Sequence, residues 1–161
     1  MAMHRYLLLI PLVFTFAGTS GLAAQPGSEN MAQPGTKSTP VTVYKTATCG
    51  CCSVWVEHMR KNGFAVTVHD VPQAELTKIK EKHGVPPEAQ TCHTGLIGKY
   101  VVEGHVPADV VHKMLKERPQ IAGIAVPGMP IGSPGMEGAY KQPYNVLAFA
   151  PGQKTTVYAK K

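Results

Sequence analysis

Residues 48–53 read TCGCCS, so three of the chain's four cysteines fall within four positions. Cys49 and Cys52 form a C-x-x-C pair, the spacing of dithiol redox sites. Cys51 is an additional thiol that such a pair does not use. The fourth cysteine stands about forty residues on, in Gln90-Thr-Cys-His-Thr-Gly95, where His93 follows Cys92 directly. Sulfur in this pattern admits three chemistries. Cys49 could attack and Cys52 resolve in thiol–disulfide exchange. Two disulfides, for example Cys49–Cys52 and Cys51–Cys92, could act as staples in an oxidising compartment. The thiolates could instead gather a soft metal. Zinc sites use chelating pairs spaced C-x₂₋₄-C. C-x-C-C is tighter, and adjacent thiolates do not easily take separate corners of one tetrahedron. They can bridge several Cu(I) ions, which soft thiolate and thioether donors select.

Thioethers come later in the chain. Pro127-Gly128-Met129 recurs seven residues on as Pro134-Gly135-Met136, within GIAVPGMPIGSPGME. Two methionines on Pro/Gly-rich turns lie outside any helical core stripe, so Met129 and Met136 are candidate ligands. Filling an apolar gap is the commoner use of methionine. His93 is the candidate nitrogen ligand or proton acceptor. His105, in Gly-His-Val-Pro at a helix entrance, could approach the site or cap the helix that follows, and capping is the favoured expectation. His58, His69, His83 and His112 read as ordinary. No Ser/His/Asp set, catalytic carboxylate pair or phosphate-cradling loop stands out.

The elements around these residues set their positions. Val41-Thr-Val-Tyr44 is a short β-branched strand that runs straight into the cysteine turn. Cys52, Trp55, Val56 and Met59 then fall at i, i+3, i+4 and i+7, which predicts an amphipathic helix ended by Asn62-Gly63. A thiol at that helix start faces unpaired N–H groups and the positive dipole end, which favour its thiolate. Phe64 to His69 is a second strand. Pro72 opens a helix with Leu76, Ile79 and His83 on one face, stopped by Gly84. Leu96-Ile97 and Tyr100 to Glu103 flank Gly98-Lys99 as a hairpin. Pro107 opens a third helix, with Val110, Val111, Met114 and Leu115 inward. Residues 123–137 form a Pro/Gly/Met loop. Asn145 to Phe149 and Thr155 to Tyr158 close the chain as a hairpin covering a sheet edge. The order β-α-β-α-β-β-α is an α/β arrangement of helices on a small mixed sheet. With cysteines at the first strand-to-helix junction it looks like the thioredoxin fold. It departs from thioredoxins in Cys51 and in having no proline directly before the third strand. On that fold Cys92 and His93 face the CGCC turn.

The N-terminus assigns a compartment. His4-Arg5, the apolar run Tyr6 to Phe16 and the small residues ending Gly21-Leu22-Ala23-Ala24 make the three-part pattern of a secretory signal peptide. Its apolar core is shorter than the ~20 residues of a bilayer span. The expected organisation is a signal over 1–24, a flexible Pro/Gly/Ser-rich leader over 25–40 and one domain over 41–161. No later run is apolar enough to span a membrane. Formal charge is +6. The lysines are scattered, without a basic block or interleaved aromatics, which argues against nucleic-acid binding.

VTVYKTATCGCCSVWVEHM, TCHTGLIGKYVVEGHVP and AVPGMPIGSPGME together resemble the CopG-type periplasmic copper-resistance family, over about Val41 to Lys161. The joint pattern is far more specific than a bare C-x-x-C. The resemblance implies a thioredoxin-like fold and a thiolate-bridged multinuclear copper site at Cys49, Cys51, Cys52 and Cys92. It also implies a role in copper tolerance, with copper redox chemistry as a further option. The expected partners are copper ions and a periplasmic redox or copper-transfer protein. The rival from another class is a thiol–disulfide oxidoreductase using Cys49 and Cys52.

Overall fold

In the computed structural model, residues 38–161 are described, and the expected signal and most of the leader lie outside them. The chain forms β1 (Thr39–Lys45), α1 (Gly50–Lys61), β2 (Phe64–Asp70), α2 (Gln73–Lys82), a 3-10 turn (Pro87–Ala89), β3 (His93–Ile97) and β4 (Tyr100–Gly104). It continues through α3 (Ala108–Glu117), β5 (Gly123–Val126), β6 (Asn145–Phe149) and β7 (Thr156–Lys160). All seven strands join one mixed sheet in the order β2-β1-β3-β4-β5-β6-β7. β1 pairs parallel with β2 and antiparallel with β3; β4 pairs parallel with β5, and the remaining neighbours are antiparallel.

The helical stripe read from Cys52, Trp55, Val56 and Met59 is buried as the periodicity requires. α3 contributes Val110, Val111 and Met114 to the same core, against Val41, Val43, Val102 and Ile124 of the sheet. Strand alternation sends Val101 and Ala125 to the opposite face, where Val85, Ala89 and Phe149 pack on them. Helices therefore cover both faces of the central strands. Among the described residues, no helix is long and apolar enough to cross a membrane.

Four expectations need correction. β1 begins at Thr39, two residues before Val41, so the end of the presumed leader belongs to the sheet. Gly123–Val126 is a strand rather than the start of a loop, with all its residues buried. It lies between β4 and β6, so the closing hairpin extends the sheet through β5 instead of covering an edge. On α2 the buried residues are Leu76 and Lys80, while His83 is the helix's C-cap.

Candidate metal centre

β1 delivers the chain to a turn closed by the Cys49 amide on the Thr46 carbonyl, at 3.1 Å. Cys49 is the N-cap of α1, with extended backbone angles (φ −78°, ψ 92°). Cys51 and Cys52 therefore stand in the first helical turn. Cys52, at the head of the apolar stripe, is fully buried; Cys51 and Cys92 are half-buried. Cys92 immediately precedes β3, and β3 lies beside β1. The sheet thus brings the fourth thiol to the helix terminus. The Sγ atoms of Cys49, Cys51, Cys52 and Cys92 all lie within 4.8 Å of one another. Cys49 and Cys52 are joined by a disulfide, and Cys51 and Cys92 are free. Cys51 Sγ is 3.6 Å from Cys49 Sγ.

On its other side, Cys92 meets two imidazoles. Its Sγ lies 3.4 Å from His93 Nδ1 and 3.1 Å from His105 Nε2. The donor atoms of Cys92, His93 and His105 form a second close group, again within 4.8 Å. His93 is fully buried, with its ring 4.3 Å from that of Trp55. Its Nε2 is buried without a hydrogen-bond partner among the described residues. The Trp55 indole N–H donates to the Val106 carbonyl at 2.8 Å, which fixes the ring that His93 packs on. His105 Nδ1 lies 2.7 Å from the Pro134 carbonyl. A carbonyl can only accept, so Nδ1 carries the proton and the Nε2 lone pair points toward Cys92.

Burial sets the protonation states. It pushes the Cys92 thiol up to about 12, with the nearby Cys51 charge adding to the rise. Burial also lowers His93 well below the usual imidazole range, with His105 reinforcing the shift. His105 is lowered chiefly by burial as well, against the pull of the Pro134 carbonyl. Both rings are therefore neutral near pH 7, the form that ligates metals.

The Pro/Gly/Met loop lies against this centre. Gly135 has φ +88°, and a Cβ there would stand 2.6 Å from the Cys51 carbonyl and 3.0 Å from His105 Nδ1. Only glycine permits both that conformation and that approach. Ser133 Oγ donates to the Pro130 carbonyl at 2.7 Å, and the Met136 amide to the Ser133 carbonyl at 2.8 Å, so the loop is internally tied. Met136, next to Gly135, is half-buried. Met129 occupies the preceding turn at φ +47° and is 40% exposed.

The structure thus brings together Cys49, Cys51, Cys52, Cys92 and His93, folds the loop carrying Met136 over them, and leaves Met129 exposed. It also corrects the reading of His105, which belongs to the centre and does not cap α3. His58 does that instead: its Nε2 accepts the Ala108 amide at 3.0 Å. A sequence signal for His105 existed. The β3–β4 hairpin pairs Thr94 with Glu103, and continuing that register by two residues sets Cys92 opposite His105.

A family model described as "Protein of unknown function, DUF411" matches residues 89–136, from the end of the 3-10 turn to Met136. No curated protein matches the chain. Two solved structures of copper resistance protein CopG are similar throughout the domain. Form 2 is 43% identical, with a TM-score of 0.70, covering 76% of this chain and 98% of its own. Form 1 is 42% identical, with a TM-score of 0.71, covering 76% of this chain and 97% of its own. With that identity over nearly the whole length of these relatives, and with the cysteine centre in place, the chain belongs to the CopG-type copper-resistance family.

Proposed function

We propose that this chain is exported to the periplasm and holds Cu(I) as cargo in a cysteine-bridged cluster of more than one ion, protecting the cell from copper. The observation that carries this reading is the convergence of four Sγ atoms within 4.8 Å. Three come from one helix terminus, so a single tetrahedral ion uses them poorly, whereas bridged Cu(I) ions can share them. The relatives' name, copper resistance protein, favours copper over other thiophilic metals. Cys49, Cys51, Cys52 and Cys92 supply the sulfur. His105, its tautomer set by the Pro134 carbonyl, supplies nitrogen in the manner of a ligand oriented from behind. His93 is the second nitrogen donor, and Met136 is better placed than Met129 to add a thioether. Copper ions and a periplasmic redox or copper-transfer protein are the partners in this reading.

One observation supports the other reading, a thiol–disulfide oxidoreductase: the Cys49–Cys52 disulfide sits at a helix N-terminus. Cys51 separates the two, because thiol exchange needs only the outer cysteines. Serine is too hard and too weakly acidic a donor to replace a central bridging thiolate on Cu(I). Cys51→Ser is therefore expected to abolish multinuclear copper binding and copper tolerance in a null strain while leaving the Cys49–Cys52 couple intact. If Cys51→Ser protects as well as the parent, while Cys49→Ser loses both tolerance and insulin-reductase activity, the oxidoreductase reading replaces the copper one.

A further inference from the structure

The four thiols are not held alike. Cys49, Cys51 and Cys52 are fixed by the start of α1. Cys92 precedes both ladders of its strand: the β1–β3 pairing begins at His93 and the β3–β4 pairing at Thr94. A fully buried carboxylate on β4 reaches that stretch instead. Glu103 Oε1 accepts the Thr91 amide at 2.7 Å and lies 3.4 Å from Thr91 Oγ1. Glu103 Oε2 accepts the Thr94 hydroxyl at 2.7 Å. Thr91 and Thr94 bracket Cys92 and His93 in the chain, so one carboxylate ties down both ends of the segment that carries the fourth thiol. Gly104 admits Thr91 to this position. It has φ +71°, and a Cβ there would stand 2.3 Å from Thr91 Oγ1. Buried Lys80 donates to Glu103 Oε1 and, at 3.0 Å, to Thr94 Oγ1, which aims carboxylate and hydroxyl at each other.

Building on the copper-holding reading, we propose that Glu103 is a positioning residue of the metal centre, acting through Thr91 and Thr94 to hold Cys92 against the CGCC turn. It touches no ion. It sets the fourth thiol in place before an ion arrives, and a ligand ordered in advance loses less freedom on binding. A buried ion pair can often be replaced by apolar side chains without loss of stability, so stability alone does not account for Lys80 and Glu103 in the core. Their hold on Thr91-Cys-His-Thr94 does. Hydrogen bonds to a charged acceptor are also roughly twice as strong as neutral ones, which suits a group that must fix a segment outside the ladders. The same strand end carries His105 two residues beyond Glu103, so both partners of the Cys92–His105 contact at 3.1 Å are set from one side chain.

Two double variants isolate this hold from the ion pair. Lys80→Met/Glu103→Gln and Lys80→Met/Glu103→Leu both remove the two charges together. Only the Glu103→Gln side chain keeps an oxygen that can accept the Thr91 amide. Each reduced protein is loaded with Cu(I) anaerobically, at a temperature where circular dichroism shows it folded. Competition with a Cu(I)-specific chelator gives the affinity, and alkylation with peptide mapping gives the protection of each cysteine in the loaded protein. The variant with Glu103→Leu is expected to bind Cu(I) about tenfold or more weakly than the one with Glu103→Gln, the usual cost of losing a group behind a ligand. Its Cys92 is expected to be alkylated while Cys49, Cys51 and Cys52 stay protected. Single variants repeat the test with the ion pair intact, and serve if either double variant fails to fold. Thr94→Val is expected to expose Cys92 in the same selective way, and Thr94→Ser, which keeps the hydroxyl, to restore its protection. Equal affinity and equal Cys92 protection across these variants would overturn the proposal. So would loss of protection at all four cysteines together, the mark of a generally loosened fold. The parent protein separates the two readings. If it does not bind Cu(I), the copper-holding function falls. If it binds Cu(I) and protects Cys92, and the variants do the same, only the role of Glu103 falls.

Discussion

Two buried polar clusters flank the β3–β4 hairpin, and they are answered very differently. On the α2 side, the Lys80 ammonium donates to Glu103 Oε1 and, at 3.0 Å, to Thr94 Oγ1. Thr94 Oγ1 donates to Glu103 Oε2 at 2.7 Å, and the Thr91 amide to Glu103 Oε1 at 2.7 Å. Each of these buried charges meets its complement. On the α1 side, one residue away along the strand, two thiols are free and His93 Nε2 has no partner among the described residues. Strand alternation separates the two sets, with Thr94 toward Lys80 and His93 toward Trp55. Burial of polar groups is common to both, so burial alone does not mark function. The unanswered His93 Nε2 does, because leaving a buried polar atom so costs free energy that a ligand can recover.

The closed cluster also serves the open one. The Thr91 amide it holds is next to Cys92, so the ion pair fixes the approach of the fourth thiol. Breaking one partner should have the largest effect on the molecule. Lys80→Met or Glu103→Leu alone leaves an uncompensated buried charge and is expected to cost about 3–5 kcal/mol in denaturant unfolding. The double variant Lys80→Met/Glu103→Leu is expected to recover much of that loss. Single variants costing under about 1 kcal/mol would show that the cluster is not closed.

His105, favoured as a helix cap from the sequence, and His58, read there as ordinary, give the next contrast. His105→Gln is expected to weaken Cu(I) binding by roughly tenfold or more, since it removes a nitrogen donor and its carbonyl anchor. His58→Ala is expected to leave copper titration unchanged and lower stability by about 1 kcal/mol, the typical value of a helix cap. The reverse pattern would return His105 to a capping role.

A smaller effect concerns pH. The Cys92 thiol is raised to about 12 in the folded chain, chiefly by burial. The folded protein therefore holds that proton more tightly than the unfolded one. The associated stability is complete below the ordinary thiol value of about 8.5. It fades as pH climbs toward the folded value. Metal-free reduced protein should lose stability more steeply above pH 9 than Cys92→Ser does. Identical pH profiles would show that the thiol is not desolvated.

Local periodicity made α1 legible: Cys52, Trp55, Val56 and Met59 announce one buried face, and all four are buried. The meeting of Cys92 with the CGCC turn was expected from the likeness to the thioredoxin fold. What escaped depended on register or on distant pairing. His105 reaches the centre because a hairpin turning at Gly98-Lys99 sets it across from Cys92, yet its immediate neighbours, Gly-His-Val-Pro, read as a helix entrance. Lys80 and Glu103 look like surface charges until α2 is laid on β4. β5 is apolar on both faces, so it carries no alternation, and three apolar residues between Gly123 and Pro127 resemble loop. Copper itself came from the resemblance and the solved relatives, because spacing alone left redox, staple and metal open.

The open cluster is expected to take more than one Cu(I) through sulfur. Anaerobic titration of the fully reduced protein with Cu(I), with metal counting and X-ray absorption at the copper edge, tests it most directly. Saturation above one ion per chain is expected, with mainly sulfur ligands and copper–copper scattering. Saturation at a single ion bound by nitrogen or oxygen would contradict it.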